Sequence, residues 1–326
     1  MWQLTKEFNM YKVVVTDQSF GNVNYERKMA EDAGARFFDY QCTTEEETIA
    51  AVEGADVIFN NFAPMNKTVL KHIKENAVII RYGVGVDNVD LEAARKHHIR
   101  VCNVPDYGVE EVADHASAFI LALCRKLPLF NEAVHDGKWK VATIAPQLKS
   151  LRDTTLGLLG FGRIARALAE RMKPFGVNII AYDPYIDENI ATQYGIRIVD
   201  LDTLFINSNI LSLHLPFNKE TKYIVNSNSL AKMPQDSIII NVSRGGLIDE
   251  NALAKAIEAG HISGTGLDVF EQEPPSINSV IMNTRNVLTS PHAAFFSDRS
   301  VQNLQKLAAE EGSRALKKQP LRCPVC

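Results

Sequence analysis

Leu156-Gly157-Leu158-Leu159-Gly160-Phe161-Gly162-Arg163-Ile164-Ala165 is the stretch on which the fold turns. The apolar run 155–160 reads as a buried strand, and Arg163–Met172 repeats its apolar side chains at helical spacing. Between them stands Gly160-x-Gly162-x-x-Ala165. In such a turn the first glycine permits the tight bend and the second lets backbone approach a pyrophosphate. The small third residue lets helix pack closely on strand. An anion placed there meets the free N–H groups and the dipole of a helix N-terminus. Taken alone, the pattern also fits any tight strand-to-helix turn. Asp183, closing the next apolar run Asn178–Tyr182, is the second mark, a carboxylate placed to accept from the adenine-side ribose hydroxyls. Pro184-Tyr185-Ile186 behind it brings no cation for a 2′-phosphate. Together these features predict a dinucleotide site that prefers NAD to NADP.

Outward from this point, strands and helices alternate in both halves of the chain. Strands are expected at 178–182, 210–215, 237–242, 264–269 and 287–290 on one side, with a last helix at 298–317. On the other side β-branched runs mark strands at 13–16, 57–59, 78–80 and 101–104, with helices at 24–33 and 90–97. This alternation implies βαβ units and parallel sheets. A long helix is expected from Val109 through Val112, Ala113, Ala116, Phe119, Ile120, Leu123 and Leu127, with Asp106 as its cap and Pro128 at its end. The less regular stretch up to about Leu151 reads as an arm or crossover.

A chain of 326 residues favours two domains, and its 46% hydrophobic and 23% charged content is that of an ordinary globular protein. A net charge of -4 supplies no field for nucleic acid or an anionic membrane. No apolar run approaches the ~20 residues that span a bilayer. The first residues contain no apolar core of a secretory signal, and Met10 immediately precedes the first strand, so 1–9 read as a leader or an alternative start. A cytoplasmic location is the expectation. Five scattered cysteines, an odd number, argue against a disulfide framework. Cys323-Pro-Val-Cys326 has redox spacing but no following helix to lower a thiol pKa, and it provides too few ligands for zinc, so a reduced tail and no metal are expected.

Several further motifs stand in order along the chain: Tyr182-Asp183-Pro184-Tyr185, Asn241-Val242-Ser243-Arg244-Gly245-Gly246, Gly266-Leu267-Asp268-Val269-Phe270-Glu271-Gln272-Glu273-Pro274-Pro275 and Ser290-Pro291-His292-Ala293-Ala294. With the glycine loop, they make the chain resemble the D-isomer-specific 2-hydroxyacid dehydrogenase family from about Lys12 to the last helix. Arg81-Tyr82-Gly83-Val84-Gly85-Val86-Asp87-Asn88 and Val101-Cys102-Asn103-Val104-Pro105 point to the branch of the C-terminal-binding proteins and phosphoglycerate dehydrogenases.

The resemblance implies an α/β fold of two doubly wound, Rossmann-like parallel-sheet domains, one flavodoxin-like and one NAD-binding. It implies a discontinuous substrate domain, 10–105 plus 296–326, around an NAD-binding domain, 106–295, with a dimerisation arm at about 107–150 and hence a homodimer. The active site is expected in the cleft, with hinges near Pro105 and Phe295. The reaction implied is hydride transfer between nicotinamide and C2 of a small 2-hydroxy or 2-oxo acid.

In that reaction His292 is the general acid/base, suited by an ordinary pKa near neutrality. Glu273 favours its protonated form. Arg244 offers a planar fork to carboxylate and carbonyl together. Singly, each has an ordinary alternative: a surface ion pair for Arg244, a solvated loop charge for Glu273, a turn cap for His292. Gly160, Phe161, Gly162, Arg163, Ile164, Asp183 and Val242 are the further cofactor contacts, with Asp268 on the nicotinamide carboxamide. His214 and Pro216 line the adenine or ribose edge and Thr221 reaches the phosphates, although His214 equally suits a packed strand end. His97, His98, His115, His135 and His261 read as structural.

For the substrate, Arg81, Phe295 and the backbone N–H groups of Val84 and Gly85 are implied contacts. Arg81 matches an arginine of phosphoglycerate dehydrogenases, whereas Asn60-Asn61-Phe62 departs from another and weakens that specificity. Phe295-Phe296 makes one side apolar, and Glu273 argues against formate as substrate. The competing reading is an NAD(H)-sensing scaffold resembling the C-terminal-binding proteins, which the absence of a long tail after the last helix disfavours.

Overall fold

The computed structural model describes residues 10–326; the reading of 1–9 as a leader or alternative start lies outside them. The chain divides into two compact units, one containing 10–108 and Ser297–Cys326, the other Val109–Phe296. No helix among the described residues is long and apolar enough to cross a membrane.

The first unit is built on a five-stranded sheet of β1 (Lys12–Val15), β2 (Arg36–Asp39), β3 (Val57–Asn60), β4 (Val78–Arg81) and β5 (Arg100–Cys102). All pairings are parallel and the order is β2-β1-β3-β4-β5, the flavodoxin-like arrangement. β3 and β4 are buried along their whole length, which is why they read as continuous apolar runs. One face is covered by Asn24–Asp32 and Asp298–Leu316, which bring Met29, Leu304 and Ala308 against Val13, Val15, Phe59 and Ile80. The other face packs Val52, Val69, Leu70 and Ala94 on Val14, Ile58 and Ile79. The C-terminal residues pair with β5, through Val325 N–H to Val101 O at 2.7 Å.

The second unit has a seven-stranded parallel sheet. Its strands are β6 (Thr155–Leu159), β7 (Asn178–Tyr182), β8 (Arg197–Ile198), β9 (Ile210–Leu213), β10 (Ser237–Asn241), β11 (Ile262–Leu267) and β12 (Val287–Thr289). Their order is β12-β11-β10-β9-β6-β7-β8, so the direction of winding reverses between β6 and β9. Ligands of open α/β sheets bind outside the strand carboxyl ends at such a switch. The Gly160 turn follows β6 at that point.

The chain thus has the two doubly wound parallel sheets expected from its sequence, with local corrections. The helix starting at Val109 ends at Cys124, and Lys126 adopts a left-handed φ of 50°. Pro128 does not end that helix but lies in the first turn of the next, Leu127–His135, where its missing N–H costs nothing. Asp106 is not a helix cap; its carboxylate accepts from Arg322 at 2.9 Å. Two strands, β2 and β8, were not anticipated. Each is a short edge strand with little burial and therefore a weak apolar signal. The helix Glu45–Val52 was also missed, although Thr44 and Glu47 form a capping box at its start.

Candidate active site

In the second unit the glycine loop is held from two sides. Gly160 has a φ of 94°, and a Cβ on it would come within 2.8 Å of the His214 carbonyl oxygen. Only glycine meets both conditions. Gly160 N–H donates to Tyr182 O at 2.8 Å, and Phe161 N–H donates to Asp183 Oδ2 at 2.9 Å. Asp183 Oδ1 accepts from Tyr185 N–H at 3.0 Å. The carboxylate expected to bind ribose therefore also ties the loop to the end of β7, and its four lone-pair positions leave room for further donors. Phe161 is buried with its ring edge-on to Tyr194, so this residue faces the loop exterior only by its backbone. Ile164 is half-buried and Arg163 exposed.

The other expected cofactor contacts lie along the carboxyl ends of β9 and β10. His214 is half-buried, with Nε2 2.9 Å from Ser212 Oγ, and burial lowers its pKa to about 3, so the ring is neutral. Pro216 is exposed, and the Thr221 hydroxyl donates to its carbonyl at 2.7 Å, closing that loop. Val242 is buried immediately after β10.

Glu273 and His292 meet beyond β11 and β12, and the charge of Arg244, beyond β10, acts on the same carboxylate. His292 Nδ1 lies 2.7 Å from Glu273 Oε2, and Glu273 Oε1 accepts from Phe270 N–H at 3.1 Å. Burial pushes the Glu273 pKa up, but the hydrogen bond and charge of His292, the Phe270 amide and the Arg244 charge outweigh it. The net effect is a carboxylate held below its ordinary range. An ionised Glu273 assigns the Nδ1 hydrogen to the shared bond and leaves Nε2 as the nitrogen able to exchange protons with a ligand. Arg244 NH1 donates to Ser243 O at 2.7 Å, and its own carbonyl accepts from Asn241 Nδ2 at 2.8 Å.

Asp268 does not stand as an isolated contact. Its side chain accepts from the N–H groups of Ala293 at 2.8 Å and Ala294 at 2.9 Å, and from the Ser290 hydroxyl. Ser290 Oγ is in turn 2.8 Å from His115 Nε2. His115, read from sequence as structural, thereby joins the network around Asp268. Phe295 packs edge-on against the exposed Phe296.

In the first unit, Arg81 ends β4 almost buried, its NH1 donating to Tyr82 O and its guanidinium 5.9 Å from the Phe62 ring. The N–H groups of Val84 and Gly85 find no acceptor among the described residues. Asn60 and Asn61 serve the architecture at this carboxyl end of the sheet. Asn60 Nδ2 donates to Thr16 Oγ1 and Ala63 O, and its Oδ1 accepts from Asn88 Nδ2 at 2.7 Å. The buried Asp17 carboxylate takes the backbone N–H groups of Asn61 and Phe62. Beneath Tyr82 lies Glu26, wholly buried, with the Tyr82 hydroxyl 2.9 Å from Oε1. Burial drives its pKa up to about 7 despite hydrogen bonds that oppose the shift. Sequence reasoning assigned no role to Glu26, Asp17 or Asn88; the first two lie outside every motif, and Asn88 closes the Arg81–Asn88 motif without a role of its own there.

Residues 117–294 match the family model described as D-isomer specific 2-hydroxyacid dehydrogenase, NAD binding domain. The chain belongs to this family. Among its relatives, glyoxylate reductase of Korarchaeum cryptofilum is 36% identical over 250 residues, 76% of this chain and 75% of that protein. D-3-phosphoglycerate dehydrogenase of Archaeoglobus fulgidus is 35% identical over 269 residues, 82% of this chain. The chain spans about half the length of that relative, 51%. Of solved structures, D-lactate dehydrogenase from Aquifex aeolicus, complexed with NAD and lactic acid, matches with a TM-score of 0.83 at 26% identity, covering 94% of this chain and 96% of that one.

The second unit of this 2-hydroxyacid dehydrogenase family member is suited to NAD in its own geometry. Nothing lies within 4 Å of the position a Gly162 Cβ would take, so the loop is open where a pyrophosphate must approach. Gly162 precedes Arg163–Met172 without a side-chain cap, leaving the first amides of that helix to an anion. NAD is the cofactor, and the Gly160–Ile164 loop and Asp183 are the groups that fit it.

Proposed function

We propose that the protein is an NAD-dependent oxidoreductase that interconverts a D-2-hydroxy acid and its 2-oxo acid, with His292 as general acid/base. The observation that carries this reading is the 2.7 Å contact between His292 and a carboxylate kept ionised, with the Arg244 charge acting on the same carboxylate. When bound, NADH supplies the hydride that C2 receives in the reductive direction. His292 Nε2 gives its proton to the carbonyl oxygen as the alkoxide develops, and Glu273 stabilises the imidazolium beforehand. Arg244 holds carboxylate and carbonyl in one plane, fixing which face of C2 is presented. In oxidation the same imidazole, neutral, takes the hydroxyl proton. The sums balance: one hydride and one proton convert the oxo acid to the hydroxy acid.

The roles of Val242, His214, Pro216, Thr221 and Asp268 toward the cofactor, and of Arg81, Val84, Gly85 and Phe295 toward the substrate, belong to this proposal. The unspent amides of Val84 and Gly85 suit a carboxylate. The first unit is the proposed substrate domain, the second the NAD domain. Exposed Leu127, Val134, Trp139 and Val141 on the 127–144 segment support an arm that pairs two copies in a homodimer. A cytoplasmic location is part of the same reading. The relatives are named as dehydrogenases and reductases, which supports an enzyme over an NAD(H)-sensing scaffold. Phosphoglycerate as substrate is disfavoured by Asn60 and Asn61, which are committed to neighbouring groups.

A panel of 2-oxo acids (glyoxylate, pyruvate, hydroxypyruvate, longer acids and phosphohydroxypyruvate) with NADH and NADPH, followed by absorbance, tests the reading. Turnover of at least one acid with NADH is expected. Tight NADH binding without any turnover would leave the scaffold as the better account.

A further inference from the structure

One buried carboxylate organises the turn that carries His292, and a histidine outside every motif stands behind it. Asp268 is 1% exposed. It accepts from three consecutive N–H groups: its main-chain oxygen takes His292 at 2.8 Å, and its side chain takes Ala293 and Ala294 at 2.8 and 2.9 Å. His292 has a φ of 52°, a left-handed state that a non-glycine residue keeps only where its surroundings over-determine it. Asp268 supplies that determination.

Ser290 orients Asp268. Its hydroxyl donates to Asp268 Oδ1, and a hydroxyl has a single hydrogen to give. Ser290 Oγ must then accept from His115 Nε2, 2.8 Å away, which places the hydrogen of that imidazole on Nε2. Donation runs in one direction, from His115 through Ser290 to Asp268, whose Oδ1 is itself 3.9 Å from His115 Nε2. The ring is held edge-on by Phe119, one turn further along Val109–Cys124, with centroids 4.7 Å apart. Phe119 lies on Gly266, where a Cβ would come within 2.7 Å of it. The bare glycine lets this helix approach β11 closely enough for His115 to reach Ser290.

We propose that His115 is a positioning residue. Its Nε2–H fixes the Ser290 hydroxyl on Asp268 and so keeps the 292–294 turn in the conformation in which His292 meets Glu273. The functional consequence rests on His292 acting as the acid/base; the structural part does not.

The test uses His115→Ala, His115→Gln, which retains an N–H donor, and Ser290→Ala. Amide hydrogen exchange at Ala293 and Ala294 is measured on the whole protein, with amides of β10 as a control for global stability. Steady-state reduction of a 2-oxo acid with NADH is measured in parallel. His115→Ala and Ser290→Ala are expected to speed exchange at both amides and to lower kcat, each by about tenfold, the equilibrium worth of one hydrogen bond. KM for NADH should change little, and His115→Gln should restore both readouts. The double variant should be no worse than Ser290→Ala alone, because both remove the same link. Unchanged exchange and kcat in His115→Ala, or failure of glutamine to rescue while the β10 amides stay protected, would overturn the proposal. If the unaltered protein reduces no 2-oxo acid, the proposed reaction fails, while the exchange measurement still decides the positioning role.

Discussion

His292 and Glu273, 19 positions apart in sequence, share a hydrogen bond of 2.7 Å between Nδ1 and Oε2. The bond orients the imidazole by fixing its Nδ1 edge on the carboxylate. Replacing Glu273 with Gln keeps the shape and removes the charge. The variant is expected to lose about 10- to 100-fold in kcat for reduction, the usual worth of a tuned acid/base partner. Because glutamine cannot take up a proton in this range, any acid limb that comes from protonating Glu273 should vanish from the pH–rate profile. Because the Glu273 pKa is depressed in the fold, its contribution is present above the ordinary carboxylate range and is lost as pH falls through the folded value. A profile that superimposes on that of the unaltered protein would remove Glu273 from the mechanism.

Asp183 ties the glycine loop to the end of β7, and in the proposed reading it also selects between the two cofactors. Asp183→Ala removes the acceptor of the Phe161 amide, so the glycine loop should loosen and NADH affinity should fall. Loss of the negative charge should also relax rejection of NADPH, because the 2′-phosphate no longer meets a carboxylate. The ratio of NADH to NADPH dissociation constants is the readout. An unchanged ratio would place discrimination elsewhere.

Glu26 makes stability pH-dependent in the opposite sense to Glu273. Its folded pKa of about 7 lies above the ordinary 4.5, so the folded state holds the proton more tightly than the unfolded chain. Its full contribution is present below 4.5 and is lost as pH rises through about 7. The difference corresponds to about 3 kcal/mol between those limits. Glu26→Gln keeps an acceptor for the Tyr82 hydroxyl and cannot ionise. It should therefore be more stable than the unaltered protein above pH 7, with a flatter dependence of Tm on pH. Equal slopes in the two proteins would show that Glu26 does not titrate in this range.

Much of this is legible in the sequence alone. The Gly160–Ala165 turn is local, and its meaning depends only on glycine geometry and the strand before it, so it could be read directly. Arg244, Glu273 and His292 have no local signature of comparable strength; their motifs in family order identified them. The His115–Ser290 contact was invisible because it joins residues 175 positions apart, through a helix placed by tertiary packing. Glu26 resembled any charge on a helix, since nothing in the sequence shows that its carboxylate meets the buried hydroxyl of Tyr82, a ring itself packed against Phe20 and Phe59. Pro128 was misread for a different reason: proline both ends helices and starts them, and only the left-handed Lys126 before it decides which.

In the proposed reaction His292 moves the proton while the glycine loop and Asp183 hold the cofactor. The direct measurement compares His292→Ala with the unaltered protein on the best 2-oxo acid of the panel, with NADH affinity measured by fluorescence titration. A kcat lowered by about 10²- to 10⁴-fold, the range for a general acid, is expected, with the NADH dissociation constant within about twofold because binding is made elsewhere. Near-normal turnover in His292→Ala would contradict it.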